Sequence, residues 1–104
     1  MTHRPVQYAR VLAFSSDGRY LATAAREGEW VLAIWSTRTG VRVRTLRGHD
    51  GTINGAVFLP DGSLASWSTD GTLRLWNVRR GAVRRIFRAQ ELPPLHEPAA
   101  TGAA

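Results

Sequence analysis

Apolar positions along this chain recur at every second residue, in short runs bounded by Gly, Asp, Asn and Pro. That rhythm predicts strands rather than helices. It is plainest in Thr72-Leu73-Arg74-Leu75-Trp76-Asn77, where Leu73 and Leu75 share one side and Arg74 and Trp76 the other. Thr69-Asp70-Gly71 before this run and Pro60-Asp61-Gly62 before the preceding one are turn signals, so residues 58–77 hold three strand-like pieces. Extended in both directions, the same reading predicts strands at 8–14, 19–25, 30–36 and 41–46, then at 52–59, 63–68, 72–78 and 82–88. Asn54-Gly55 is also a hairpin signal, but a turn there would leave no room for the strand at 52–59. In 41–46 the alternation puts Val on one face and Arg on the other, and a charged outer strand discourages edge-to-edge pairing.

The strand pattern occurs twice. Ala13-Phe14-Ser15-Ser16-Asp17-Gly18-Arg19-Tyr20-Leu21-Ala22-Thr23 matches Val57-Phe58-Leu59-Pro60-Asp61-Gly62-Ser63-Leu64-Ala65-Ser66, one residue shorter in the second copy, and Ala33-Ile34-Trp35-Ser36 answers Arg74-Leu75-Trp76-Asn77. Equivalent positions lie 44 residues apart at Phe14/Phe58 and 41 apart at Trp35/Trp76. A repeat of about 40 to 45 residues with four strands per copy points to propeller blades.

Gly48-His49, the Asp61-Gly62 turn, Ser66, Asp70-Gly71-Thr72 and the closing Leu73-Arg74-Leu75-Trp76-Asn77 resemble one complete WD-repeat, with Trp-Asn in place of Trp-Asp. The first copy resembles a degenerate one. The resemblance implies an all-β fold of two four-stranded antiparallel propeller blades, a partial WD-repeat β-propeller. The blades are expected at 8–47 and 48–88, with a disordered N-terminus at 1–7 and a flexible Pro/Ala-rich tail at 89–104. It also implies that His49, Ser66, Asp70 and Trp76 form a buried hydrogen-bond network tying strands together, and removing one partner should cost about 1–3 kcal/mol. In the first copy only Thr23 and Trp35 match, with Glu27 in the Asp position. Glu closes a local hydrogen-bonded ring less readily than Asp, and two extra residues precede Trp35, so that corner is expected to be longer and less regular. WD-repeat proteins are similar to one another in serving as platforms for protein partners. Mapped by position, the partner-binding face would include Tyr8, Arg10, Arg26, Thr52, Asn54 and Thr69.

Length changes this picture. Two blades cannot close a ring that needs about 4 to 8, so two outer faces with Leu, Ile and Trp side chains should stand open, as an interaction surface or an aggregation hazard. Completion by other blades is expected, through self-association or within a larger chain; three copies would give six blades and four would give eight.

Charge and chemistry change it less. The formal charge is +6, and all fourteen basic residues are Arg, which reads first as compositional bias. Arg79, Arg80, Arg84, Arg85 and Arg88 could meet phosphate, but only Phe87 is available for base stacking, and nucleic acid is a poor fit as partner. His49, Ser66 and Asp70 are the residue types of a hydrolase triad. Yet no Gly-x-Ser-x-Gly elbow exists and Ser66 falls within a predicted strand, so no catalytic residue is expected. The chain lacks Cys, its His at 3, 49 and 96 have no metal-ligand spacing, and no phosphate-loop motif is present; no metal or cofactor is called for. No secretory signal or membrane-length apolar run is seen, making cytoplasmic residence the default expectation. Ser66-Trp67-Ser68 and the Arg/Ala-rich style look like repeats of bacterial regulatory proteins with long propellers, by analogy.

Overall fold

The computed structural model describes residues 8–91, with side chains from residue 10 to residue 90. Eight strands follow in chain order: β1 (Tyr8–Phe14), β2 (Tyr20–Arg26), β3 (Trp30–Ser36), β4 (Arg42–Arg47), β5 (Ile53–Phe58), β6 (Leu64–Ser68), β7 (Thr72–Asn77) and β8 (Ala82–Arg88). They form two antiparallel sheets, β1-β2-β3-β4 and β5-β6-β7-β8, in which each strand pairs with the next. This is the expected all-β class. Residues 1–7 and 92–104, with His3 and His96, lie outside the described residues. The tail was expected from residue 89, but a 3-10 helix spans Ala89–Glu91 and the Ala89 N–H donates to the Gly71 carbonyl at 2.8 Å.

Two details depart from the sequence reading, and a third, at Asn54-Gly55, keeps the expected strand and adds a bulge. The β2–β3 connection is no longer than its counterpart, because Glu27-Gly28-Glu29 and Thr69-Asp70-Gly71 are both three residues. The additional residues lengthen the strands instead: β2 and β3 have seven residues each, against five in β6 and six in β7. Asn54-Gly55 makes no turn, but the β5–β6 register shifts between Ile53 and Gly55, so the local irregularity is absorbed as a bulge. Finally, Arg42 and Arg44 do not share a face. The register shifts between Ile34 and Trp35, where Arg44 pairs with Ile34 and Arg42 with Trp35. That bulge re-aims one side chain, and β7–β8 carries the same shift between Leu75 and Trp76.

The sheets pack through one face each. Ala22, Ala24, Leu32, Ile34 and Leu46 of the first sheet meet Ile53, Leu64 and Trp76 of the second. Alanines in β2 leave room at the joint for the large residues of the other sheet, and Ile53, Leu64 and Trp76 are buried there. An arginine clamps each side of this joint: Arg10 Nη2 donates to the Asn54 carbonyl at 2.6 Å, and Arg44 Nη2 donates to the Arg79 carbonyl at 2.6 Å. The other faces are open. Val57, Trp67 and Phe87 stand exposed on the second sheet and Val11 on the first. Of the Leu, Ile and Trp expected in the open, Trp67 is exposed, whereas Ile34 lies in the joint and is fully buried.

Candidate functional site

The second sheet gathers His49, Ser66, Asp70 and Trp76 on its covered face. Ser66 lies mid-β6 and Trp76 near the end of β7; the loop before β5 supplies His49, and the β6–β7 turn supplies Asp70. Gly48 admits this loop. Its φ is +145°, and a Cβ there would lie 2.7 Å from the Arg74 guanidinium and 3.5 Å from the Trp76 ring.

The bonds run in one direction. Trp76 Nε1 donates to Ser66 Oγ at 2.9 Å, Ser66 Oγ lies 2.8 Å from His49 Nε2, and His49 Nδ1 lies 2.9 Å from Asp70 Oδ2. A carboxylate only accepts, so Nδ1 carries the proton, and Nε2 then accepts from the Ser66 hydroxyl. Each hydrogen along this run then has an acceptor. Protonating Nε2 would turn it into a donor facing a hydroxyl whose own hydrogen then has no acceptor. Burial pushes the His49 pKa below its ordinary 6.5, despite the opposing pull of Asp70. Burial by itself would raise the Asp70 pKa. Instead the Thr72 hydroxyl, the His49 ring and the amides of Asp50 and Thr72 hold it far below the usual carboxylate range.

Thr72 is the member that the residue pattern missed. Its hydroxyl donates to Asp70 Oδ1 at 2.6 Å and its amide to the same oxygen at 2.8 Å. The signal was the Asp-Gly-Thr order, which lets a short carboxylate accept from the backbone two residues on. Among the described residues, no buried side-chain nitrogen or oxygen lacks a partner.

The first sheet answers with a different set. Trp35 Nε1 donates to Thr23 Oγ1 at 3.0 Å, matching the Trp76–Ser66 bond. Glu27 does not join them. It takes a two-pronged contact from Arg42, at 3.1 and 2.7 Å, and the Arg42 guanidinium lies over the Trp35 ring, 5.1 Å from its centroid. The Arg42 hydrogen bonds lower the Glu27 pKa, and Glu27 raises that of Arg42.

Of the suggested partner face, Arg26, Asn54 and Thr69 are exposed and Thr52 is half-buried. These residues share one end of the two sheets, where the Thr69 amide donates to the Thr52 carbonyl at 2.9 Å. Arg10 is exposed but engaged as an inter-sheet clamp, Arg26 lies over the Trp30 ring at 5.1 Å, and the side chain of Tyr8 lies outside the described ones. At the opposite end a groove of about 540 Å³ opens between the β1–β2 and β5–β6 turns, lined among others by Asp17, Tyr20, Asp61 and Arg84. The arginine cluster is partly committed: Arg84 pairs with Asp61 at 3.6 Å and Arg85 lies over the Phe87 ring at 5.5 Å.

Residues 40–77 match the family profile described as "WD domain, G-beta repeat". The chain is 34% identical over 82 residues to apoptotic protease-activating factor 1 of Mus musculus, covering 79% of this chain and 6% of that protein. It is 42% identical over 60 residues to Lissencephaly-1 homolog 1 of Paramecium tetraurelia, covering 57% of this chain and 14% of the relative. The solved WD40 repeats of RRP9 superpose with a TM-score of 0.68 at 28% identity, over 77% of this chain and 24% of that one. This chain therefore spans a small part of the proteins it is similar to.

Proposed function

Because this chain belongs to the WD-repeat family of β-propeller proteins, we propose that it is a non-catalytic scaffold for protein partners, a partial propeller whose two blades are completed by others. The observation that carries the reading is the burial of the second blade's network. The bonds run Ser66–His49–Asp70 as in a hydrolase triad, but His49 and Ser66 are 4% and 0% exposed, and Ser66 Oγ also accepts from Trp76 Nε1. A hydrolase needs its nucleophile in reach of a substrate. Here the same residue types hold strands together.

What a rigid pair of blades offers a partner is its end surface. Arg26, Asn54 and Thr69 stand there at fixed separations on strand ends and a tight turn, a preorganised arrangement that lowers the entropy cost of binding. Partners captured by the immobilised chain should be lost on Arg26→Glu or Thr69→Arg while the unfolding midpoint stays put. Partners that persist in both variants would overturn this assignment of the binding end. For the chemistry, a serine-directed fluorophosphonate should leave Ser66 of the folded chain unlabelled; labelling there would restore the hydrolase.

A further inference from the structure

Resting on the scaffold reading, we infer that the open face of the second blade takes the open face of the first blade of a second copy of this chain, head to tail, in the register of the internal joint. The two blades match row by row through their shared anchors, and each presents outward the face that the other has covered. In the joint, the first blade contributes Ala22, Leu32, Ile34, Arg44 and Leu46. Following the pairings, the same rows on the open face of the second blade read Ala65, Leu73, Leu75, Arg85 and Phe87. In turn, the second blade brings Leu64, Ser66 and Trp76 to the joint, and the open face of the first carries Leu21, Thr23 and Trp35 in the same rows.

Burial shows what is missing. Leu32, Ile34 and Leu64 are fully buried, whereas Leu73, Leu75 and Leu21 are half-buried. Trp76 is covered, and Trp35 is half-buried beneath Arg42. A face that repeats the rows of a covered one, the Ala24 row apart, fits the surface that covers its twin.

The outer clamp is repeated as well. Arg44 donates to the Arg79 carbonyl and lies against Gly81, where a Cβ would come within 3.3 Å of its Cδ. The β3–β4 turn ends in the same way as the β7–β8 turn: the Gly40 amide bonds Ser36 at 2.8 Å and the Gly81 amide bonds Asn77 at 2.9 Å. Arg85 of one copy therefore meets the Arg38 carbonyl and Gly40 of the next. The inner clamp is not repeated, since Asn54 stands where Arg10 would be. The rows differ at Ala24, where Trp67 stands with its ring against Gly55, so close that a Cβ there would come within 2.3 Å of it. Joining unlike faces is heterologous, so association continues until rotation closes a ring.

The test uses the full chain. Sedimentation should give a species three or four times the monomer mass. Val11→Asp and Phe87→Asp, one on each open face, should each reduce this to monomer, and mixing them should restore a species of twice the monomer mass through the one intact pair of faces. Dimerisation of Val11→Asp by itself would mean like faces meet and would overturn the register. A folded wild-type monomer at every concentration would overturn self-association, and the partner-capture result on Arg26 and Thr69 would stand independently. Should either aspartate variant unfold, the absence of Cys supplies another route: Arg85→Cys and Thr39→Cys chains, mixed and treated with a short bismaleimide, should yield a crosslinked dimer several-fold above either chain alone. Equal yields would overturn the proposal.

Discussion

The Asp70 corner of the second blade and the Glu27 corner of the first are equal in length and differ in what they tie together. Both are three-residue turns, with φ of +82° at Gly28 and +85° at Gly71, the left-handed position that such a loop requires and glycine supplies. Asp70, with its short side chain, folds back onto its own turn and the loop before β5, joining β6, β7 and that loop. Glu27 is one methylene longer and reaches outward to Arg42 on β4. Glycine fixes the bend, and side-chain length selects the strand that is tied. The tie through His49 is buried and uncharged at the ring, whereas the tie through Arg42 is an ion pair whose side chains are 29% and 31% exposed, and the energies should differ accordingly.

Truncating the tryptophans should separate the blades most. Trp76→Ala should cost about 3–5 kcal/mol in denaturant unfolding, the range for emptying a buried aromatic site. On the Val11→Asp monomer background Trp35→Ala should cost clearly less, because that ring is only half-buried and capped by Arg42. An equal loss would show the first blade's open face to be covered in solution. Next comes the acceptor beneath each ring. Ser66→Ala strands two buried groups, Trp76 Nε1 and His49 Nε2, for about 2–3 kcal/mol, while Thr23→Ala strands one half-buried donor for about 1 kcal/mol. Thermal or urea unfolding of both variants checks the ratio, and Thr23→Ala matching Ser66→Ala would erase the distinction between the two networks.

The sequence made the second blade legible because its signals are local. Strand alternation, Asp-Gly turns and the Trp76 offset each depend on a few neighbouring residues, and observed strand ends lie within one residue of those read from the pattern. Arg42 was not legible. Alternation in 41–46 put it beside Arg44, and only the bulge at Val43 carries it to the other face, over Trp35. A bulge is set by the partner strand, and one strand's sequence does not contain it. Thr72 was visible as part of the Asp-Gly-Thr signal, but its role needed the position of Asp70. Arg10 was read as a surface contact because its carbonyl acceptors lie 43 and 44 residues away, in the other sheet.

Acid should act on the second blade first. His49 has a folded pKa below 6.5, so the folded state refuses a proton that the unfolded chain accepts. Its contribution is whole above pH 6.5 and is lost as pH falls from there toward the folded value. Asp70 follows at lower pH, since its depressed pKa gives stability that is present above about 3.8 and lost below. Glu27 likewise gives way only below its ordinary 4.5. His49 is the one histidine among the described residues. Urea midpoints should therefore fall between pH 7 and pH 5 in the wild type, and His49→Gln should flatten that slope while lowering the midpoint throughout. A slope that survives His49→Gln would assign the acid response to another group.

The smallest effect should come from Glu27→Gln. The amide keeps the shape and one acceptor, so Arg42 loses the charge and one prong but stays over Trp35. A partly exposed pair of this kind is worth up to about 1 kcal/mol, and added salt screens it, so on the Val11→Asp monomer background the gap between Glu27 and Glu27→Gln should shrink from low to about 1 M ionic strength, where charges interact over only ~3 Å. Asp70→Asn provides the contrast. Its amide nitrogen would face either the His49 N–H or the Thr72 hydroxyl and amide that now donate to a carboxylate, a mismatch inside the sheet that salt does not reach. Its cost should hold across the same salt series. If both gaps shrank together in that monomer, the Asp70 corner would be open to solvent; in the assembled chain, where head-to-tail stacking covers the Glu27–Arg42 pair, neither gap should shrink.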